Sequence, residues 1–258
     1  MSKGLSNGYI ISLKNITKNY GNIRALQGVN LDIRLGEVLA LVGDNGAGKS
    51  TLIKVLSGAI NPDHGEIIVD NNVYGKLNPA LAIKLGISTV YQDLGLVDTR
   101  NVAANLFLGR EPVKFGFWLD KKLMAKKSGQ LLKSLNVNIL DPNRMVGQLS
   151  GGQRQGIAVA RAINQGGQVI IFDEPTAAMG VNESRQILDL IKDLGQQGYA
   201  VIVVSHNLNH VLEISERICV MKQGNLVADL VTAETNPSEI AHYITGVQGF
   251  KNLQEISS

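Results

Sequence analysis

The chain has 258 residues, of which 44% are hydrophobic and 18% charged, a composition that excludes an intrinsically disordered protein and allows one large domain or two small ones. Its formal net charge of +3 is too small to indicate nucleic-acid binding, and a single cysteine, Cys219, excludes an internal disulfide. No apolar run approaches the roughly 20 residues of a membrane-spanning helix, and residues 1–7 lack the order of a signal peptide, so we expect neither insertion nor export.

The first 70 residues predict an antiparallel sheet. Residues 9–16 alternate in part, and residues 29–34 strictly, between apolar and polar side chains, while residues 65–69 predict a further strand that ends in a turn at 70–72. Tyr20 falls in the predicted loop between the first two strands. Its ring could stack on an adenine, although an ordinary surface tyrosine is the favoured interpretation when the residue is taken alone.

The pattern G-x-x-x-x-G-K-[ST] follows a predicted buried strand at 38–42 and precedes a helical pattern at 52–58. It comprises Gly43, Asp44, Asn45, Gly46, Ala47, Gly48, Lys49, Ser50 and Thr51. Its glycines let successive N–H groups point into one concavity, where Lys49 adds a full charge for phosphates and the Ser50 hydroxyl can bind Mg²⁺. A chance match is expected in about one chain in a hundred, and the flanking strand and helix lower that figure, so we predict nucleotide binding.

The middle of the chain changes from strand patterns to helical ones. Gln92 follows a predicted strand at 86–90, where its neutral amide could reach Mg²⁺ or water and release it when the loop moves. A helix is predicted from Leu119 to Leu135, with its lysines on a solvated face. For Trp118, just before it, core packing is favoured over a partner-docking surface.

A second possible phosphate site precedes another predicted helix at 154–163. It comprises Leu149, Ser150, Gly151, Gly152 and Gln153. A hydroxyl, glycine amides and a helix N-terminus can bind phosphate, and these five residues should occur by chance in fewer than about one chain in a thousand. Because one nucleotide does not need two cradles in one small domain, each cradle is predicted to serve a different nucleotide across a two-fold interface.

Acidic and imidazole side chains follow two apolar runs that suit central parallel strands, at 169–172 and 201–204. Asp173 can bind Mg²⁺, and Glu174 can polarise the water that attacks the γ-phosphate. His206 could contact that phosphate or the water, although a structural histidine is usually the better interpretation of such a residue.

Taken together, residues 9–247 resemble ATP-binding cassette (ABC) ATPase subunits. The motifs stand in the family's order: aromatic-loop Tyr20, the Walker A residues 43–51, the Gln-loop residue Gln92, the signature residues 149–153, the Walker B strand ending at Asp173 with Glu174 after it, and the switch histidine His206. The resemblance implies that two copies sandwich ATP head to tail, with Glu174 as the catalytic carboxylate and His206 on the γ-phosphate. ATP and Mg²⁺ are the expected substrate and cofactor.

The chain departs from the family at Gly180, where an aspartate is usual, so the contact that this loop makes across the dimer is expected to be altered. Residues 177–181 (Ala-Ala-Met-Gly-Val), 91–94 and 105–111 resemble the corresponding segments of monosaccharide importers, many of which fuse two cassettes in one chain. We therefore expect an importer ATPase for a pentose or hexose. An importer of amino acids or another small polar solute, a non-transport ABC ATPase and a non-hydrolysing regulator remain as alternatives.

The expected fold is an α/β P-loop NTPase of the RecA-like type with an antiparallel β subdomain and a helical subdomain. One cassette at 5–247 is predicted, with its core at 5–95 and 163–247, the helical signature subdomain at 96–162 and a polar tail at 248–258. The expected partners are a second copy, integral-membrane permease subunits and, indirectly, an extracytoplasmic sugar-binding protein, with no nucleic acid. The expected location is the cytoplasmic side of the cell membrane, through the permease.

Overall fold

Two large sheets and a helical layer make up the computed structural model, which describes residues 8–177 and 179–246. The strands are β1 (Tyr9–Tyr20), β2 (Ile23–Arg34), β3 (Val38–Val42), β4 (His64–Val69), β5 (Asn72–Tyr74), β6 (Ile87–Val90), β7 (Val113–Lys114), β8 (Trp118–Leu119), β9 (Val169–Asp173), β10 (Ala200–Val204), β11 (Arg217–Lys222) and β12 (Asn225–Val231). The α-helices are α1 (Lys49–Leu56), α2 (Pro79–Lys84), α3 (Val102–Leu106), α4 (Lys121–Ser134), α5 (Gly151–Asn164), α6 (Val181–Gln196), α7 (Leu208–Ile214) and α8 (Pro237–Thr245), and short 3-10 helices lie at Val146–Gln148 and Thr232–Glu234.

The antiparallel sheet predicted for the first part of the chain is confirmed. Its four strands run in the order β2-β1-β4-β5. The strict alternation of β2 buries Val29, Leu31 and Ile33 against the core, as expected. The turn after β4 is shorter than predicted, because Asp70 and Asn71 alone take left-handed backbone angles and Asn72 already begins β5.

The second sheet contains the buried apolar runs in the order β12-β11-β3-β10-β9-β6. Its inner neighbours are parallel, and only β12 is antiparallel to the strand beside it. Alternate residues of β9 face opposite cores: Ile171 packs with the antiparallel sheet, and Ile170 and Phe172 pack with the helical layer. Because both faces are covered, the strand reads as one continuous apolar run.

The helical segment contains a two-stranded hairpin that the sequence did not predict. Strands β7 and β8 pair Val113 with Leu119 and Lys114 with Trp118, so Leu119 belongs to a strand, and the helix predicted from 119 begins at Lys121. The prediction that Trp118 packs in the core is wrong, since 66% of this residue is exposed. Strands of two residues are too short for their alternation to be recognised in a sequence.

No helix within residues 8–177 and 179–246 is both long and apolar enough to cross a membrane. The sole cysteine, Cys219, is buried in β11, as its apolar surroundings predicted. The last described helix, α8, starts with the Asn236 side chain accepting from the Glu239 amide and ends at Gly246. The tail predicted at 248–258 lies outside the described residues.

Candidate functional site

Four loops that carry predicted site residues leave the parallel sheet at one edge. In register, Val204 of β10 lies beside both Leu41 of β3 and Asp173 of β9, and Val90 of β6 lies beside Phe172. The loops after these parallel strands therefore start at the same level, at the carboxyl ends where open α/β sheets bind ligands.

The loop between β3 and α1 depends on glycine at two close approaches. Gly43 has φ 145°, and a Cβ there would lie 2.2 Å from the Met221 carbonyl oxygen. Gly48 has φ 106°, and its Cβ would lie 2.6 Å from the Ala25 carbonyl oxygen. The loop is thus clamped between β11 and β2, a fit that a side chain at either position would break.

Helix α1 starts at Lys49 directly after Gly48, and no side chain caps its first turn. The N–H groups there are free to receive an anion, which the helix dipole also favours. The Lys49 ammonium donates to the Gly43 and Asp44 carbonyl oxygens at 2.5 and 2.9 Å. Burial lowers the Lys49 pKa, against the opposing pull of Glu174, Asp44 and Asp173. Lys49 is therefore a partly desolvated cation turned towards the loop.

Two carboxylates stand side by side at the end of β9. Burial raises the pKa of Asp173, the neighbouring Glu174 carboxylate raises it further, and Lys54 and Lys49 oppose both effects. Glu174 has φ 51°, an unusual value for a residue with a side chain, and its N–H donates to the Val204 carbonyl at 3.0 Å. Left-handed backbone at a non-glycine residue costs on the order of 1 kcal/mol and is common at functional sites.

Glu174 and His206 meet across the loops after β9 and β10. The Glu174 Oε2 lies 2.9 Å from the His206 Nδ1, and His206 is otherwise open to solvent. Both residues line a cavity of about 590 Å³ together with Thr176 and His210. A carboxylate beside an imidazole at an open cavity can exchange a proton with a bound water.

Residues 150–153 are separate from this cluster. The Ser150 hydroxyl accepts from the Gln153 backbone N–H at 3.3 Å, and the Gln153 side-chain oxygen accepts from the Ser150 N–H at 3.1 Å. The two hydrogen bonds make a capping box at the start of α5. The Gly151 N–H donates to the Glu183 carboxylate at 3.1 Å. Ser150, Gly152 and Gln153 line another cavity, of about 350 Å³, that none of residues 43–51, 173–174 or 206 lines.

Gln92 and Tyr20 are both exposed to solvent. Gln92 follows β6 after Tyr91, whose hydroxyl lies 3.3 Å from the Ser57 hydroxyl just beyond α1. Tyr20 is the last residue of β1 and not a loop residue as predicted, with 47% of it exposed and the Lys18 ammonium 5.9 Å from its ring centroid.

Sequence reasoning missed three residues around these sites. Lys54 acts electrostatically on Asp173, and its spacing of one helical turn from Ser50 could have suggested this. Glu183 accepts from Gly151, and a Cβ at Gly152 would lie 2.9 Å from the Gln186 Oε1. Their contacts depend on how α6 packs against α5, which no local pattern in the sequence reveals.

The chain matches one protein family and is similar to several proteins of known role. The family described as ABC transporter matches residues 26–177. The chain is similar to the xylose/arabinose import ATP-binding protein of Sulfolobus acidocaldarius, with 42% identity over 95% of this chain and 98% of that protein. It is also 42% identical to the fructose import ATP-binding protein of Rhizobium meliloti, over 93% of this chain and 95% of that one.

Solved structures with the same fold include a nucleotide-free ATP-binding cassette from an ABC transporter, with a TM-score of 0.78, 26% identity and coverage of 93% of this chain and 96% of that one. A dimeric cassette bound to ADP and phosphate in a post-hydrolysis state has a TM-score of 0.70 and 29% identity, and the match covers 86% of this chain and 98% of that one.

Proposed function

The chain belongs to the ABC transporter family, and on that basis we propose that it is the ATP-hydrolysing subunit that powers an importer for a monosaccharide. The main support for hydrolysis is the contact between Glu174, which follows Asp173 at the end of β9, and His206. This contact lies at the same sheet edge as Lys49. The two relatives named for pentose and fructose import support the solute class.

The proposed roles follow from position and charge. Lys49 and the free N–H groups of α1 bind the β- and γ-phosphates, and Lys49 leaves the loop carbonyls to do so. Glu174 accepts the proton of the attacking water, and His206 contacts the γ-phosphate. Because 75% of the His206 side chain is exposed, it can turn from Glu174 towards the substrate without disturbing the core. Tyr20 offers its exposed ring to the adenine.

The residues present fit a magnesium ion. Ser50, Gln92 and Asp173 offer hydroxyl, amide and carboxylate oxygens, which are the ligands that Mg²⁺ prefers. Burial, and then the neighbouring Glu174 carboxylate, raise the pKa of Asp173, and a bound cation would favour its ionised form against both effects. Among residues 8–177 and 179–246, no group of three or more His, Cys, Asp or Glu could hold a metal ion. When bound, Mg²⁺ would neutralise charge on the phosphates.

Two copies are proposed to close on two ATP molecules. Residues Ser150, Gly151, Gly152 and Gln153 of each copy would face the nucleotide held by the other copy, since they lie apart from their own chain's Lys49 and Glu174. The dimeric relative supports this arrangement. Closure excludes water from the reacting phosphate, and hydrolysis reopens the pair.

The remaining partners are a permease and a sugar-binding protein. We infer that Gln92 and the helical segment form a groove for a permease helix, which keeps the chain at the cytoplasmic face of the cell membrane. A cavity of about 230 Å³, lined by Tyr91, Asp93 and Arg161 next to Gln92 in the chain, could receive a side chain of such a helix. An extracytoplasmic binding protein would deliver the sugar to the permease.

Uptake by cells that lack this chain tests the proposal. Labelled pentoses, hexoses and amino acids are supplied to deletion cells that express the wild-type chain, Glu174→Gln or, as a control, Glu66→Gln, an exposed carboxylate on β4. We expect uptake of one monosaccharide to be lost on deletion and restored by the wild type and Glu66→Gln, but not by Glu174→Gln. If the deletion cells took up sugars normally but lost amino-acid uptake, the sugar assignment would be wrong. If Glu174→Gln restored uptake fully, the assignment of ATP hydrolysis to this residue would be wrong.

A further inference from the structure

The hairpin of β7 and β8 ends in a tip of aromatic side chains. Phe115 and Gly116 form the turn with φ 51° and 82°, and Phe117 and Trp118 follow, with ring centroids 5.6 Å apart. Left-handed backbone is costly at an aromatic residue, and no core contact offsets that cost, since 89% of Phe115 is exposed. Phe117 and Trp118 are exposed by 74% and 66%. These three rings form an exposed apolar cluster outside the core.

Exposed lysines follow the hairpin on the next helix. The hairpin leads directly into α4, whose first two turns expose Lys121, Lys122, Lys126 and Lys127. The adjacent carboxylate, Asp120, does not offset them, because it caps α4 by accepting from the Leu123 N–H at 3.0 Å and pairs with the Lys114 ammonium at 3.3 Å. Residues 111–127 contain five lysines and two acidic residues, so this short segment has a net charge of +3, the same as the whole chain.

We propose that this basic aromatic hairpin, defined as residues 113–119 with the four lysines of α4, docks on an anionic lipid surface. Aromatic rings at the level of the headgroups with lysines beside them are the composition of membrane-interface anchors. A lysine near such a surface is attracted by the negative potential of the lipids, and an exposed ring gains by leaving water. The lysines favour an anionic partner, and rings exposed together with lysines favour a lipid surface over a purely ionic contact.

Position in the fold agrees with this occupant. The base of the hairpin and the loop before α3 share a cavity of about 250 Å³, lined by Leu119, Lys121 and Arg100. Both the hairpin and this cavity belong to the helical segment that is proposed to contact the permease, and contact with a membrane protein on that segment would bring the hairpin near the bilayer. The inference goes beyond the proposed function, and its test needs neither the permease nor ATP turnover.

Trp118 is the only tryptophan of the chain, so its fluorescence reports on the hairpin directly. The full-length chain is mixed with vesicles of phosphatidylcholine containing about 30% phosphatidylglycerol or with phosphatidylcholine alone, and binding is measured by sedimentation and by the emission maximum. We expect co-sedimentation and a blue shift with the anionic vesicles only, both weakened by salt. Absence of binding, or equal binding to neutral vesicles, would overturn the proposal.

Paired variants separate the rings from the charges. We expect Phe115→Ser with Phe117→Ser, and separately Lys121→Glu with Lys122→Glu, each to weaken vesicle binding by about tenfold or more. Leu140→Ser, at a 96% exposed leucine, and Lys133→Glu, at the far end of α4, are matched controls that should stay within about twofold. ATPase activity in solution should be unchanged in all four.

The control variants and the permease distinguish the alternatives. If Leu140→Ser or Lys133→Glu weakened vesicle binding as much as the hairpin pairs, binding would be a general effect of exposed apolar or basic residues, and the hairpin would not be the anchor. If vesicle binding failed and the hairpin pairs instead lost co-purification with the permease, the partner would be a protein, and the lipid proposal would be wrong.

Discussion

Helices α1 and α5 both have glycine at their N-terminal end, Gly48 before α1 and Gly151 at the start of α5, but their first turns differ. The N-terminus of α1 has no side-chain cap, and its first residue, Lys49, supplies a cation that interacts electrostatically with Glu174 and Asp173. At the start of α5, Ser150 and Gln153 cap each other, and the Glu183 carboxylate accepts from the Gly151 N–H. One helix is ready for an anion, and the other is satisfied by its own chain.

This difference suggests an order of events. A triphosphate can bind at α1 of a single copy, since the cradle there is formed. At α5 it has to compete with Glu183 for the Gly151 N–H, and that carboxylate also repels it. The second contact would therefore form only when a partner brings a nucleotide already held in place, which makes dimer closure depend on ATP.

The largest effect is expected from Glu174→Gln, which removes the proposed base and leaves the proposed phosphate-binding loop intact. Turnover should fall by about 10³-fold, within the range that positioned acids and bases contribute, while ATP binding persists and a dimer accumulates. Phosphate release measures the turnover, and size-exclusion chromatography measures the dimer. Turnover at the wild-type rate would show that Glu174 is not the base, and Glu66→Gln is the control for a lost carboxylate.

A smaller loss is expected from Ser150→Arg, which affects α5 and leaves α1 alone. The bulky cation blocks the approach of the partner's nucleotide, so the ATP-dependent dimer should disappear and turnover should fall by about 100-fold, as expected when one set of transition-state contacts is lost. Each copy should still bind ATP with nearly wild-type affinity, measured by calorimetry. A wild-type dimer from this variant would refute the shared site.

Glu183→Gln sharpens the comparison in the opposite direction. It keeps an acceptor for the Gly151 N–H but removes the charge that opposes a phosphate, so ATP-dependent dimerisation should tighten by about three- to fivefold. Analytical ultracentrifugation with Mg-ATP measures the dissociation constant. Glu66→Gln, at an exposed carboxylate on β4, should change it little. A weaker Glu183→Gln dimer would show that Glu183 supports closure and does not compete with it.

The smallest effect concerns the stability of the nucleotide-free chain. Because burial and Glu174 raise the pKa of Asp173, its ionised form is less stable in the folded protein than in the unfolded chain, and folding stability declines as pH rises through that pKa. Asp173→Asn should therefore raise the melting temperature at pH 7, by no more than about 4 °C, the shift that 1 kcal/mol gives at this size.

The gain from Asp173→Asn should vanish below about pH 4, where the carboxyl is protonated in both states. Differential scanning calorimetry across pH measures it, with Glu66→Gln as the control. A lower melting temperature for Asp173→Asn at pH 7 would show that the ionised carboxylate stabilises the fold.

Sequence patterns predicted the parts of this protein that rest on local order. The continuous apolar runs of β9 and β10 and the strict alternation of residues 29–34 in β2 identified both sheets. The expectation that glycines before Lys49 take backbone angles closed to other residues is confirmed at Gly43 and Gly48. The hairpin that exposes Trp118 was missed, because two-residue strands carry no period. The contact of Glu183 with Gly151 was missed because it depends on tertiary packing between α5 and α6.

Mixing two inactive variants tests the shared site most directly. Lys49→Ala lacks a phosphate cradle but keeps its own residues 150–153, and Ser150→Arg has the reverse defect. If each copy completes the other's site, an equal mixture should recover up to about a quarter of wild-type ATPase activity, since half of random dimers are mixed and each of those holds one intact site. A mixture as inactive as its two components would contradict the account.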